Sequence, residues 1–497
     1  MGRVGRVALD RASQGKRVYA LKAPGRHQLS SAMFAGFTAT YGITLHGLLV
    51  VLSLLAYVVA SHAFNQRRHP TAAIAWVFFI LLVPYVALPT FLVFGSRKQP
   101  RPLLIAGPGP APSSAPWAIR AITALGQPAP ASYRDLVVHA DGHEALEALW
   151  RLIDAAEVSI DVCTFIIGKD AVGEAVLARL VAKARAGVRV RLMVDGMGRL
   201  MRRQPDLSLL VDAGGRVTVF VPPLRLPIRA RANLRDHRKM VIVDAERASH
   251  RAWSGGRNLA SEYFEGAPGK APWIDLTFDI GGDLVQQFAT LFERDWAYGS
   301  GERVAPTPRV RATLVDAQAH CCAQLVASGP DEVDDTIQTL LVTGAYQAEQ
   351  RIMLVTPYFV PDSALLAALC MAARRGVGVD LLVPAKSNHP MSDIARRRAM
   401  RTLAVAGGRI WLAPHMLHAK LAVFDDLVAL SGSANVDSRS LFLNYELMVA
   451  FHDRGDVARF AGWFERELST ANRYEARRPG WITDIAEGLV LWAGFQL

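Results

Sequence analysis

Two stretches of this 497-residue chain carry residue types that could move a phosphoryl group. In the first, His237, Lys239 and Asp244 stand in the order H-x-K-x4-D, and Gly255, Gly256 and Asn258 follow as G-G-x-N. In the second, His418, Lys420 and Asp425 repeat the spacing, and Gly432, Ser433 and Asn435 read G-S-x-N. An imidazole can attack as a nucleophile or pass a proton near neutral pH. A lysine and a carboxamide can hold the non-bridging oxygens of a phosphodiester and offset the charge that develops there. A lone H-x-K reads equally well as a core histidine beside a surface lysine. Its recurrence changes that balance: two histidines, one per half, could face each other across a shared site, one attacking and the other protonating.

The elements around the motifs must position them. LAVFDD (421–426) reads as a short buried strand ending at a turn. Residues two apart on a strand share a face, so His418 and Lys420 project side by side. VALSGS (428–433) reads as the neighbouring strand, with small residues where another backbone approaches closely. Upstream of the first motif, helical spacing covers Glu144–Ala155, alternation Val158–Phe165, a helix Ala171–Ala186 ending at Gly187, and a strand Val188–Asp195. Downstream come WID (273–275) and a helix over Asp283–Trp296. The second half replays this with a strand Arg351–Phe359, a helix Ser363–Arg375 closed by Gly376, and a strand Val377–Val383. The order β-α-β implies an α/β fold with helices on the sheet faces. The whole is an internal duplication of a domain, not a short solenoid repeat. Two such α-β-α halves are expected to pack about a pseudo-two-fold axis, which brings both histidines to one interface.

The double H-x-K-x4-D pattern with its G-[SG]-x-N resembles the phospholipase D superfamily. TPYFVPD (356–362), GVGVDLLVPAKSNHP (376–390) and LFLNYELMV (441–449) resemble the bacterial cardiolipin synthases, and the likeness runs from about residue 42 onward. The resemblance implies two duplicated phospholipase D-type halves and a two-step transfer through a phosphohistidine, with no metal and no cofactor. It implies His237, Lys239, Asp244, His418, Lys420 and Asp425 as the catalytic set, with His237 favoured as nucleophile and His418 as acid and base. Lys239, Lys420, Asn258 and Asn435 would grip the phosphate oxygens, with a further hydroxyl from Ser433. It also implies an orienting carboxylate for each histidine: Asp275 of WID for the first half and Glu446 of NYE for the second. Asp244 and Asp425 close the motif and are expected to be structural. Two departures stand out. Ten residues separate Asp244 from Gly255 against six in the second motif, which lengthens a hairpin turn. Gly256 also stands where the second half has Ser433. Arg439 could meet a second phosphate or pair with an acid, while His389 and His415 read as loop residues.

Charge and hydropathy decide the setting. The net charge is +12, and residues 1–131 hold thirteen Lys and Arg against one acid, Asp10, which is the whole excess. A nuclease would carry its basic surface on the catalytic region, whereas a membrane enzyme carries it beside anionic headgroups. No nucleic-acid partner is expected; the expected partners are a membrane and anionic phospholipids, phosphatidylglycerol and cardiolipin. Between Arg26 and Arg67 there is no Lys, Arg, Asp or Glu, and a second uncharged run spans Pro70–Ser96. Each is long enough to cross the roughly 30 Å hydrocarbon core as a helix. The predicted organisation is a basic arm (1–41), a transmembrane helical hairpin (42–96, about 42–62 and 72–94) and a Pro-rich linker (97–132). A first half (133–300), a connection (301–331) and a second half with a C-terminal tail (332–497) follow. Basic residues flank both ends of the hairpin, so the positive-inside rule puts both ends in the cytoplasm. The expectation is a multi-pass protein of the bacterial inner membrane with its catalytic region on the cytoplasmic side. The arm reads as a membrane-surface segment or a solvated tail, and the apolar tail 481–497 as docked on the core or touching lipid. The four cysteines lack C-x-x-C spacing and read as reduced thiols, with Cys163 and Cys370 in the core. The expected function is a cardiolipin synthase joining two phosphatidylglycerols with release of glycerol. The alternatives are a phospholipase D-type hydrolase and, further off, a phosphodiesterase or nuclease.

Overall fold

A computed structural model describes residues 44–61, 70–94, 111–221, 234–266, 269–302, 321–332 and 334–493. The basic arm and parts of the two connecting segments lie outside these residues. Backbone contacts divide the chain into a small N-terminal unit, ending near Leu88, and a large unit holding the rest.

In the small unit, Thr44–Ser61 is one helix, the only one among the described residues long and apolar enough to cross a membrane. The second uncharged run forms two shorter helices, Pro70–Leu82 and Pro84–Phe94. The break falls at Val83 because proline has no N–H to donate and its ring crowds the preceding turn. Near that break His46 Nε2 lies 3.2 Å from the Leu81 carbonyl oxygen.

The described residues of the large unit contain two large sheets of similar topology, beside a two-stranded pair of Phe359–Val360 with Val436–Asp437. In spatial order the seven-stranded sheet runs Arg134–Val138, Thr277–Gly281, Arg251–Gly255, Met240–Val243, Ser159–Thr164, Arg189–Asp195, Arg216–Phe220. The nine-stranded sheet runs Ala131–Ser132, Cys322–Ser328, Glu446–Phe451, Val428–Gly432, Leu421–Phe424, Arg351–Val355, Gly378–Pro384, Arg409–Ala413, Asn472–Arg473. From Thr277–Gly281 in the first and Glu446–Phe451 in the second, the order of the two is the same: carboxylate strand, motif hairpin, then three parallel strands joined by helical crossovers. The motif strand runs antiparallel to its neighbour, Met240↔Cys163 in one half and Leu421↔Val355 in the other. Each histidine therefore sits at the carboxyl ends of the parallel strands, where open α/β sheets place their ligands.

Helices Gly142–Ala155 and Ala171–Arg185 start at Asp141 and Asp170, whose side chains accept backbone N–H bonds from the first turn. With the sheet's outer face they bury one core that includes Leu149, Ile153, Leu180 and Trp253. Helices Thr336–Gln347 and Ser363–Arg374 do the same for the second half. A third core belongs to both halves. Phe278 of the first packs edge-to-face on Phe451 of the second, with ring centroids 5.2 Å apart. Cys163 and Cys370 are buried and all four thiols are free.

Two segments differ from expectation. The Pro-rich linker ends earlier than the composition suggests: Trp117–Ala124 is a helix with Ile119 and Ile122 buried. It belongs to the core of the second half, and Trp117 meets Phe424 edge-on at 6.0 Å. Gln127 then accepts from the Ala327 N–H at 2.9 Å, and Ala131–Ser132 joins the second sheet. The connection between halves likewise contains Cys322–Ser328, a fully buried strand paired with the strand of Glu446. Burial on both faces removes the polar-apolar alternation that marks a strand in sequence. The tail forms the helix Trp481–Ala493, held to helix Pro390–Val405 by Glu487 and Arg401 at 2.6 Å, with Trp481, Ile482 and Ile485 exposed.

Candidate active site

His237 and His418 each sit just ahead of the first strand of their hairpin. In both halves the strand bearing the carboxylate lies so close to the hairpin's second strand that only glycine fits. A Cβ on Gly255 would stand 2.3 Å from the Leu276 oxygen, and one on Gly432 2.1 Å from the Leu447 oxygen.

The carboxylates cross between halves, which corrects the expected pairing. His237 Nδ1 lies 3.0 Å from Glu446, and His418 Nδ1 lies 2.7 Å from Asp275. The exchange follows from two reciprocal backbone bridges. The His237 N–H donates to the Tyr445 carbonyl at 2.9 Å, and Tyr445 N–H returns a bond to Arg235 at 2.8 Å. The His418 N–H donates to the Ile274 carbonyl at 2.6 Å, and Ile274 N–H returns a bond to Met416 at 2.9 Å. In each case the residue just before a histidine is zipped to the residue just before the other half's carboxylate. A carboxylate only accepts, so each Nδ1 carries the proton and each Nε2 is left as a lone-pair base.

The two carboxylates are braced differently. Ser433 Oγ donates to Glu446 at 2.5 Å and accepts from the Leu447 N–H at 3.0 Å, while Asn444 Nδ2 donates to Glu446 at 3.2 Å. The hydroxyl expected to face phosphate is therefore occupied in holding the carboxylate. At the matching position of the first half a Cβ on Gly256 would lie 2.2 Å from Asp275 Oδ1. The glycine there is the space the shorter carboxylate fills.

Lys239 Nζ donates to the His237 carbonyl at 2.5 Å. Lys420 Nζ donates to the His418 carbonyl and stands 2.7 Å and 3.1 Å from the ring nitrogens. Asn258 Nδ2 donates to the Tyr263 hydroxyl at 2.7 Å, and Asn435 bonds Asp437. An amide NH2 keeps a second hydrogen for a ligand. Asp244 and Asp425 point away from this cluster. Each has φ 52° and takes three successive backbone N–H bonds at the entry of the neighbouring strand, from residues 157–159 and 349–351. They are turn anchors. The four extra residues of the first hairpin lie in its turn, between Met240–Val243 and Arg251–Gly255.

Burial sets the electrostatics. It pushes the His418 imidazole down to about 3, with the Lys420 ammonium acting in the same sense and Asp275 against it. His237 is held below its ordinary value first by burial, with Glu446 opposing. Burial lowers Lys239 to about 8 and Lys420 to about 7. For Asp275 burial is outweighed by Lys420 and His418, which hold it near 2, and Glu446 is lowered likewise by His237 and Lys239. Burial thus disfavours charge on the imidazoles and on the lysines alike, and an anionic phosphodiester placed beside the lysines would restore their ammonium form.

Sequence reasoning missed the ring walls. Phe165 meets His237 edge-on at 5.2 Å, while Tyr263 and Trp273 pack on His418 at 5.1 Å and 5.7 Å. It also missed Arg238, fully buried between the halves, which pairs with Asp295 at 2.5 Å and donates to the carbonyls of Glu446 and Ser328. Only its place inside the first H-x-K, where the second has Ala419, marks it. His389 precedes a helix at Pro390, His415 lies in a turn, and Arg439 is on the short helix Ser438–Phe442. Among the described residues no group of His, Cys, Asp and Glu has metal-binding geometry.

The family described as cardiolipin synthase, phospholipase D-like domain, matches residues 149–296 and 342–468. Cardiolipin synthase A of Pseudomonas putida (strain W619) is 30% identical over 443 residues, covering 84% of this chain and 90% of that protein. Cardiolipin synthase A of Shigella boydii serotype 4 (strain Sb227) is 29% identical over 474 residues, covering 88% and 96%. In three dimensions, the phosphatidylserine synthase of Haemophilus influenzae Rd KW20 superposes with TM-score 0.58 at 13% identity, covering 76% of this chain and 98% of that one.

Proposed function

This chain belongs to the phospholipase D-like cardiolipin synthase family, and we infer that it joins two phosphatidylglycerols into cardiolipin with release of glycerol. The observation that carries the chemistry is the pair of imidazoles, each held by the other half's carboxylate with Nε2 left as the base. His237 Nε2 attacks phosphorus and the bond to the glycerol oxygen breaks, with His418 delivering the proton to that oxygen. In the second step His418 takes the proton from the incoming glycerol hydroxyl, whose oxygen displaces His237. Burial and then the Lys420 ammonium depress His418; the phosphodiester's negative charge, lying between Lys239 and Lys420, offsets the second and favours the protonated imidazole. His237 is favoured as nucleophile because its side chain is 12% exposed against 6% for His418, and Lys420 does not crowd its ring. Lys239, Lys420, Asn258 and Asn435 grip the non-bridging oxygens.

The common strand order and the reciprocal bridges support two halves related by a pseudo-two-fold axis through the site. Thr44–Ser61 and the kinked pair Pro70–Phe94 support a two-helix membrane hairpin, with His46 at Leu81 joining its arms. The basic flanks support both ends, and the catalytic region, on the cytoplasmic side of a bacterial inner membrane.

The test is product analysis of purified full-length protein with labelled phosphatidylglycerol in the presence of a chelator. Cardiolipin and free glycerol in equal amounts are expected. Phosphatidic acid without cardiolipin would make water the acceptor and replace the synthase reading with the hydrolase.

A further inference from the structure

Beyond the carboxyl ends of the parallel strands, where the histidines sit, each half carries a lip with exposed apolar side chains. On the first half, the parallel strand ending at Asp195 leads into the short helix Gly196–Met201, and Leu200 and Met201 are 69% and 64% exposed. This lip is anchored to the site. A Cβ on Gly198 would lie 1.8 Å from the Phe165 oxygen, and the Phe165 ring packs on His237. Asp195, which caps the helix, also accepts the Asp236 N–H at 2.8 Å. On the second half, the equivalent strand ends at Pro384 and leads to Met391, 43% exposed. Tyr358 donates to Asn388 there at 2.6 Å, and the residues that follow it, Phe359–Val360, pair with Val436–Asp437 directly after Asn435.

Cations accompany both lips. Arg199 and Arg203 flank Leu200 and Met201 and are exposed, as is Lys386 on the other side. An apolar tip between guanidinium and ammonium groups matches a bilayer surface with anionic headgroups, where aliphatic side chains enter the acyl region and cations stay with phosphate. A second copy of this chain offers a poorer fit, because an isologous contact would set arginine against arginine.

We propose that Arg199–Arg203 and Lys386–Met391 are two lips that enter the surface of an anionic bilayer, so that the cleft between the histidines opens directly onto lipid. The lipid phosphate then reaches His237 while its acyl chains stay in the membrane. Only the identity of the headgroup rests on the proposed function.

The test uses full-length protein reconstituted in phosphatidylglycerol-containing vesicles. An environment-sensitive fluorophore is placed on Leu200→Cys, on Met391→Cys, and on Tyr346→Cys as a control. Tyr346 is 51% exposed and lies near the end of the helix that leads to the amino end of strand Arg351–Val355, away from the carboxyl ends where the lips stand. Quenching by lipids carrying a quencher in the acyl chain is expected at positions 200 and 391, at least threefold above position 346. Equal quenching at all three overturns the proposal, as does a signal at 200 that follows protein density at fixed lipid composition, which would indicate a second copy. In mixed micelles, Leu200→Ser/Met201→Ser is expected to raise the surface KM about tenfold with kcat kept, whereas Tyr346→Ser changes neither. Lip quenching in a protein that makes no cardiolipin would leave this proposal standing and remove the synthase reading.

Discussion

The two halves spell the same motif and surround it differently. His418 is walled by Tyr263 and Trp273, pressed by Lys420, paired with a short carboxylate beside a glycine, and driven down to about 3. His237 has one ring neighbour, Phe165, and a longer carboxylate braced by Ser433 and Asn444. The pairs Gly256 with Asp275 and Ser433 with Glu446 read as two solutions to one problem. Either the backbone gives the carboxylate room, or a side chain reaches out to steady it. Duplication supplies two equivalent imidazoles, and packing from the opposite half makes them inequivalent.

The sharpest way to break this comparison is to remove each imidazole. His237→Ala and His418→Ala should each lower kcat by about 10³-fold or more. A phosphatidyl donor with a nitrophenolate leaving group needs no acid, so His418→Ala should still form an acid-labile phosphoenzyme with it while His237→Ala should not. Label appearing only in His237→Ala would reverse the roles.

The carboxylate supports come next. Gly256→Ser places a Cβ where Asp275 Oδ1 now lies, and the displaced imidazole of His418 should cost roughly 10² in kcat. Ser433→Gly removes one bond to a charged group that keeps Asn444, and should cost about tenfold. Equal losses would mean that the two braces are interchangeable.

The pH profile sharpens the comparison further. The nucleophile His237 is held below its ordinary value, so its protonation should cost kcat/KM nothing at pH 6.5, where an unperturbed histidine is half protonated, and acidification can only help His418 hold the proton it delivers. On the alkaline side, Lys420 at about 7 and Lys239 at about 8 would lose the charge proposed to grip phosphate, so kcat/KM should fall as pH rises through that window. A Lys420→Arg variant should move the first decline to higher pH. A flat profile from pH 6.5 to 9 would contradict the lysine assignment.

The smallest activity effect belongs to the turn anchors. Asp425→Ala unpairs three N–H groups in a left-handed turn and should cost about 2–3 kcal/mol of stability. Asp425→Asn, which tolerates that conformation, should cost less. Activity per folded molecule should change little in either, measured by thermal unfolding beside active-site titration, and Asp244→Ala should match.

Much of this was legible in the chain itself. The recurrence of H-x-K-x4-D disclosed the duplication, and the β-α-β order around each copy disclosed the sheets, because periodicity is a local property. The carboxylates of WID and NYE were marked only by the resemblance to the phospholipase D superfamily. The docking of Trp117–Ala124 on the far half was hidden because prolines dominate the composition around it. The strand Cys322–Ser328 was hidden because burial on both faces erases alternation. Which carboxylate serves which histidine was decided only by the tertiary structure. Asp275 and Glu446 each lie nearer in sequence to the histidine they do not touch, and the isolated bridges Asp236–Tyr445 and Ile274–Leu417 join segments from opposite halves. The inequality of the two imidazoles was likewise set by packing, because desolvation depends on what the other half lays against a ring.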